Sequence, residues 1–222
     1  MKLRRLFSWI AVASPLLAAL LALQMLPSEI PIHFGLGGEV TRYGSKFELL
    51  IIPAIAIVFG VFMLLMERVA IKQDAEKGIR NAKVVYWLTV VFAAQFLIMT
   101  IQVASVAYNN LQNLNDGAFN ATKILSLCFS LSYVVIGNLL PKCKQNALIG
   151  IRTKWTLASE ATWYKTHRLG GKVMFAYGLV CVALSLLIPD GLVSVLFCAV
   201  GLLVVMIPIV VYSHSVYKRE VS

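Results

Sequence analysis

Residues 150–172 read GIRTKWTLASEATWYKTHRLGGK, a basic, aromatic and polar stretch in a chain that is otherwise greasy. It holds the side chains best suited to acid–base chemistry. With Thr156 as an N-cap and Gly170-Gly171 as a stop, the residues between read as one helix over 157–169. On it Glu160, Trp163 and His167 stand at i, i+3 and i+7 and share a face. Tyr164 and Arg168, an i, i+4 pair, fall on the neighbouring face near Leu157 and Ala161. A carboxylate and an imidazole are capable general acids and bases. Seven helical residues nevertheless separate these two by about 10 Å along the axis, and the sequence places no nucleophile beside either.

Metal ligation has little support. His33 falls in a different loop from His167, and the four cysteines (Cys128, Cys143, Cys181, Cys198) have neither a zinc spacing nor a disulfide framework. No cofactor is expected. Lys142 and Lys144 flank Cys143 and would lower its thiol pKa, although charges that hold a loop on one side of a membrane explain the lysines equally well.

A second loaded stretch is LPSEIPIHFGLGGEVTRYGSK, residues 26–46. Pro27 and Pro31 exclude helix, and Gly35, Gly37 and Gly38 permit close backbone approach. Around them stand His33, Phe34, Glu39, Arg42 and Tyr43, which are candidates for a ligand or peptide contact. Val40 occupies the place where a dinucleotide fingerprint needs its third glycine, so that chemistry is excluded.

The elements that position these loops are apolar. The chain has 222 residues, 59% hydrophobic and 14% charged, with a mean hydropathy of +0.82. Soluble domains are nearer about 45–50% apolar and about 25% charged. Six runs carry the surplus: Leu6–Leu26, Phe47–Met66, Val84–Val106, Ile124–Leu140, Val173–Leu187 and Leu192–Tyr212. Only helices satisfy their own backbone across lipid in runs of this length. The reading is a single all-α integral membrane domain over 1–222, a six-helix bundle whose last two spans join at Pro189-Asp190-Gly191.

Seventeen of the twenty lysines and arginines fall before the first span, between the second and third, in 142–172 and after the sixth. That bias puts both termini and the loop 141–172 in the cytoplasm, and the loop 27–46 outside. It also explains the net charge of +10 without nucleic acid. The N-terminal run of about 21 residues exceeds a signal-peptide core and is expected to remain as a helix. Gln95 and Gln102 share a face of the third span and are expected to bond across the bundle. Helices one to three and four to six form halves of opposite orientation. Each has its long loop after its first helix and opens that loop on Leu-Pro, the layout an inverted 3+3 repeat leaves.

Gly137 to Lys172, GNLLPKCKQNALIGIRTKWTLASEATWYKTHRLGGK, resembles the signature of the SdpI family. The matching positions are Gly137-Asn138, Pro141, Asn146, Gly150-Ile151-Arg152-Thr153, Trp155-Thr156, Glu160, Trp163 and Thr166-His167-Arg168. IPIHF and Tyr43-Gly44-Ser45-Lys46 resemble the uncharacterised domain that often precedes it. The expected division is 1–83 for that part and 122–222 for the SdpI-like part. The resemblance implies a non-enzymatic membrane protein that shields its host from a secreted, membrane-active peptide toxin. It also implies capture of a cytoplasmic transcriptional repressor at the membrane. Toxin outside, repressor inside and membrane lipids around would then be its partners. Asn138, Asn146, Arg152, Thr153, Trp155, Thr156, Glu160, Trp163, His167 and Arg168 become the candidate contact residues.

Two other classes fit the residues alone. One is a membrane enzyme acting on a lipid or peptide through Glu160 and His167, or through His33 and Glu39. The other is a small transporter or flippase, against which the uncharged span interiors weigh. The mass of the mature protein tests the first helix: it should match the full chain, and loss of about two dozen N-terminal residues would make that helix a cleaved signal.

Overall fold

The computed structural model describes residues 2–35, 37–72, 75–116, 120–188 and 191–221. Among these described residues there are seven α-helices: α1 (Lys2–Leu23), α2 (Ile51–Ile71), α3 (Ala75–Tyr108), α4 (Ala121–Leu139), the short α5 (Lys154–Ala158), α6 (Glu160–Leu187) and α7 (Gly191–Val221). All but α5 contribute to six helices long and apolar enough to cross a membrane. Their outer faces carry exposed Leu17, Val58, Phe62, Leu187, Leu203 and Ile207, an arrangement that lipid tolerates and water does not. The chain is a multi-pass membrane protein.

Two expectations need correction. The chain is not wholly α: β1 (Glu29–Phe34) and β2 (Val40–Ser45) form an antiparallel hairpin between α1 and α2. Pro31 denies that segment a helix, while Ile30, Ile32, Val40 and Thr41 suit extended backbone. The ladder shifts register around Pro31 and His33, where proline has no N–H to give. The second correction concerns Gly170-Gly171, which does not end a helix. Helix α6 runs through both, because a helix entering lipid has no water to receive freed backbone groups. The Pro189-Asp190 part of the expected turn lies outside the described residues.

Contacts fall into two groups of three. In the first, α1 and α2 pack on α3, with Phe59 of α2 edge-on to Phe92 of α3 at 5.0 Å. Arg4 of α1 meets the buried Glu67 of α2 at 2.8 Å and lies over the Tyr86 ring of α3, so one guanidinium ties three helices together. In the second group α4, α6 and α7 pack together. Glycines bring α4 and α6 into backbone contact: a Cβ on Gly137 would strike Phe175 N and Gly171 O, and one on Gly178 would strike Val134 N and Ser130 O. Small residues at such a seam let helices gain the van der Waals contact that replaces the hydrophobic effect in lipid. Tyr133 and Tyr177 both donate to Cys198 O, joining α7 to the pair.

The halves meet mainly where α3 runs beside α4. Gln95 Nε2 donates there to Ser132 Oγ (2.7 Å) and Cys128 O (3.1 Å), and Gln102 Nε2 to Ala121 O. The expected glutamine cross-links are present.

Replacing Gly178 by Val should lower the stability of the detergent-solubilised protein by about 1–3 kcal/mol, as overpacking against fixed backbone does. It would be read as a lowered apparent Tm, and an unchanged Tm would mean α4 and α6 do not touch through backbone there.

Candidate functional site

The loop 141–159 folds back against the end of the second helix group, and a few buried side chains hold it. Asn146 shapes its first turn. Its Oδ1 accepts from Leu148 N and Ile149 N at 2.7 and 2.8 Å, and its Nδ2 donates to Lys144 O and Ile149 O. Asn81 of α3 reaches across from the first group and accepts Lys144 N at 2.9 Å. The Trp163 indole donates to Cys143 O at 2.9 Å. Unpaired buried carbonyls and amides are costly, and these bonds remove that cost for a segment with no regular structure.

Trp163 and His167 are stacked, ring centroids 4.0 Å apart and 17° from parallel, and both are almost fully buried. Ile151 N–H donates to His167 Nε2 at 3.0 Å, so His167 Nδ1 carries the proton and gives it to Trp163 O at 2.9 Å. The imidazole is thereby neutral, with both nitrogens committed. Gly150 sits on this stack at φ +111°, where a Cβ would collide with both rings. Only glycine serves there, for conformation and for space.

Thr153, not Thr156, is the N-cap that follows. It caps α5 reciprocally with Thr156, whose hydroxyl also donates to Ile151 O at 2.8 Å. Ser159 then caps α6. The expected single helix over 157–169 is thus two helices, because Ser159 turns extended between them. The C-terminus of α7 is drawn in as well. Trp155 lies against the His214 ring at 4.6 Å, Thr153 Oγ1 is 3.3 Å from Ser213 Oγ, and Glu220 accepts from Ser159, Thr162 and Lys165.

Glu160, Trp163 and His167 therefore part company. Trp163, His167, Thr156 and Asn146 are buried and brace the loop, whereas Glu160, Arg152, Arg168 and Asn138 are exposed; Thr153 and Trp155 are half-buried. The surface that faces outward is Arg152, Leu157, Ala161, Tyr164 and Arg168, with Leu157 and Tyr164 43% and 56% exposed. His167 has no free nitrogen with which to act as a base. Cys143 is not activated: burial pushes its thiol up to about 12, against a smaller lowering by its bond to Asn146. Asn81 and Gln145, which binds Thr156 O and Leu157 O, escaped sequence reasoning. Asn81 lies some sixty residues away with no pattern to mark it.

At the opposite end of the bundle the β1–β2 hairpin leans on the 109–116 connection. Val40 N donates to Gln112 O, Leu114 N to Gly38 O, and Tyr43 OH to Gln112 Oε1. Gly38 turns at φ +86° with no room for a side chain beside Asn113 and Asn115. Lys46 Nζ caps the C-terminus of α1 through Leu23 O and Leu26 O. His33, Glu39, Arg42 and Tyr43 stay exposed and Phe34 half-buried. Arg42 pairs with Glu48 and His33 with Thr41. Among the described residues no group of three His, Cys, Asp or Glu side chains is placed to hold a metal.

This braced loop opens the stretch that decides the comparison: residues 142–212 match the SdpI/YfhL protein family. The likeness to the SdpI family holds. Residues 10–57, which include the hairpin, match a domain of unknown function, DUF1648. Over 217 residues the chain is 24% identical to the immunity protein SdpI of Bacillus subtilis, covering 97% of each. An uncharacterised Archaeoglobus fulgidus protein is 42% identical over 59 residues, 27% of this chain and 32% of that one. No solved structure matches. The SdpI segment thus comprises most of the braced loop, α5, α6 and the greater part of α7.

Burial of Cys143 has a direct consequence. At pH 8 the raised thiol stays protonated, which together with burial should leave Cys143 unlabelled by maleimide in the native protein. Trp163→Ala should cost about 3–5 kcal/mol and expose it; peptide mapping after a timed pulse reads both. Fast native labelling of Cys143 would contradict the braced loop.

Proposed function

We propose that this protein is an SdpI-type immunity protein, which protects the cell against a secreted, membrane-active peptide. The supporting observation is the collinear match to the immunity protein SdpI from end to end, rather than in one segment. In this reading both termini and the loop 141–172 are cytoplasmic, as the basic residues ask. The hairpin faces outward, and His33, Phe34, Glu39, Arg42 and Tyr43 meet the toxin.

The second role is signalling. A transcriptional repressor docks on the cytoplasmic face through the exposed Arg152, Glu160, Tyr164 and Arg168, with Trp155 at its margin. Asn146, Thr153, Thr156, Trp163 and His167 serve it indirectly by fixing the loop, and Asn138 stands beside it at the end of α4. The two groups of three helices, 1–83 with the rest of α3 and 122–222, are the halves of an inverted repeat. Toxin bound on one side would reach the repressor surface through the α3–α4 join, the main path between the halves.

Expression in a peptide-sensitive strain should raise survival under toxin challenge, and unchanged killing with verified membrane insertion would defeat the immunity role. A C-terminal fluorescent fusion should glow and a C-terminal alkaline phosphatase fusion stay silent; the reverse would invert the topology. Arg152→Ala with Arg168→Ala should release the repressor from the membrane fraction while survival is kept. Retention of the repressor by that variant would move docking elsewhere.

A further inference from the structure

Beneath the braced loop the bundle keeps a hollow of about 270 Å³, bounded by α3, α4, α6 and α7. Val84, Leu88 and Phe92 line it at i, i+4 and i+8, so one face of α3 forms a wall about 12 Å long. Ile136 of α4, Met174 of α6 and Met206 of α7 complete the sides, and Ile149, Gly150 and Ile151 form the roof. Among the described lining residues the one polar side chain is Cys143, whose thiol is engaged by Asn81 and Asn146. The roof is engaged as well: Ile151 N–H is bonded to His167, Ile151 O to Thr156 and Ile149 O to Asn146. Val84 and Leu139 also line a wider space at the flank of the bundle, bordered by Val134, Val135 and the exposed Trp87. That shared rim leads from the hollow to the lipid side of α3 and α4.

We infer that this hollow takes one acyl chain of a membrane lipid, which enters between α3 and α4 and leaves its headgroup outside. The chemistry of the lining selects the occupant. Sites for soluble ligands fix them with a few placed polar groups, and here the Cys143 thiol and the bonded roof groups are already committed to protein. Water does not fill the space either, since an apolar cavity that offers no hydrogen bonds stays dry. Hydrocarbon is what remains, and the bilayer around the six long helices supplies it at the mouth. Shape agrees, because the wall on α3 is long and runs with the helix. Met174 and Met206 are unbranched and polarizable, so they adapt to a flexible chain. Recognition is of the chain and not of the headgroup, whatever bonds Arg80, Lys83 and Lys142 make at the rim of the wider space. A chain held there lies between the two helix groups and supports Ile149 and Ile151 from below. The site needs only the hollow and the bilayer, and it stands independently of the immunity reading.

Photolabelling of the full-length protein in phosphatidylcholine vesicles tests it. The vesicles are doped with a set of phosphatidylcholines bearing a diazirine at different depths along one chain, and labelled residues are mapped by mass spectrometry. Met174 is only 5% exposed and Leu203 is 70% exposed. Label on Leu203 therefore reports the surrounding lipid, whereas label on Met174 requires a chain inside the hollow. The wild type should be labelled at both. Ile136→Trp, which fills the hollow, and Val84→Trp, which blocks its mouth, should each lose the label at Met174 and keep it at Leu203. Phosphatidylglycerol carrying the same chains should label Met174 equally. A wild type labelled at Leu203 but at Met174 by no member of the set would overturn the proposal without recourse to any variant. So would undiminished labelling of Met174 in both variants. Labelling of Met174 by phosphatidylglycerol alone would make the headgroup the recognised part and overturn it too.

Discussion

The fold depends on one constraint: a loop lying against the end of a membrane bundle must have its backbone groups bonded by protein. Residues 141–159 form neither a long helix nor a strand, so side chains do that work. The Trp163 indole takes Cys143 O, His167 takes Ile151 N–H, Thr156 takes Ile151 O, and Asn146 closes the turn between them. Because Trp163 and His167 sit one turn apart on α6, they stack and present both donors and acceptors from one rigid platform. The platform is steady because α6 is pressed to α4 through Gly137, Gly171 and Gly178. Glycine seam, aromatic stack and braced loop form one mechanical unit.

The first three helices are held by different physics. A buried ion pair between Arg4 and Glu67, aromatic edges on α3 and the lysine cap on α1 replace the glycine seam. Isolated buried charges are expensive and paired ones hold geometry, so Arg4 registers α1 against α2 at one end, while farther along Gly60 of α2 lies directly against Val12 of α1. Two groups built on different interactions meet along α3 and α4, joined by glutamine cross-links and left with open space at one end.

Much was legible because lipid imposes a simple code. Length and apolarity of the six runs marked the six long helices, and the side-chain amides of Gln95 and Gln102, too long and polar to satisfy themselves within one span, announced a cross-bundle bond. The family likeness lay in the spacing of the loop residues and needed no coordinates. The hairpin escaped because its strands are short and its first is broken by Pro31, so period-2 alternation never ran long enough to read. The continuity of α6 escaped because paired glycines mark a stop in water, yet here they mark close approach to α4.

The sequence by itself determined the membrane character, the number of long apolar helices, the unequal charge of the two sets of connecting segments and the likeness to the SdpI family, since each follows from composition or linear spacing. Only the tertiary structure decided which of Glu160, Trp163 and His167 look outward. A helical wheel shows that residues share a face; it does not show whether another chain segment covers part of that face. The fold of 141–159 onto α6 covers Trp163 and His167 and leaves Glu160 to solvent. Burial is a property of what arrives from elsewhere in the chain, as Asn81 and Gly150 do, and no local pattern encodes that arrival.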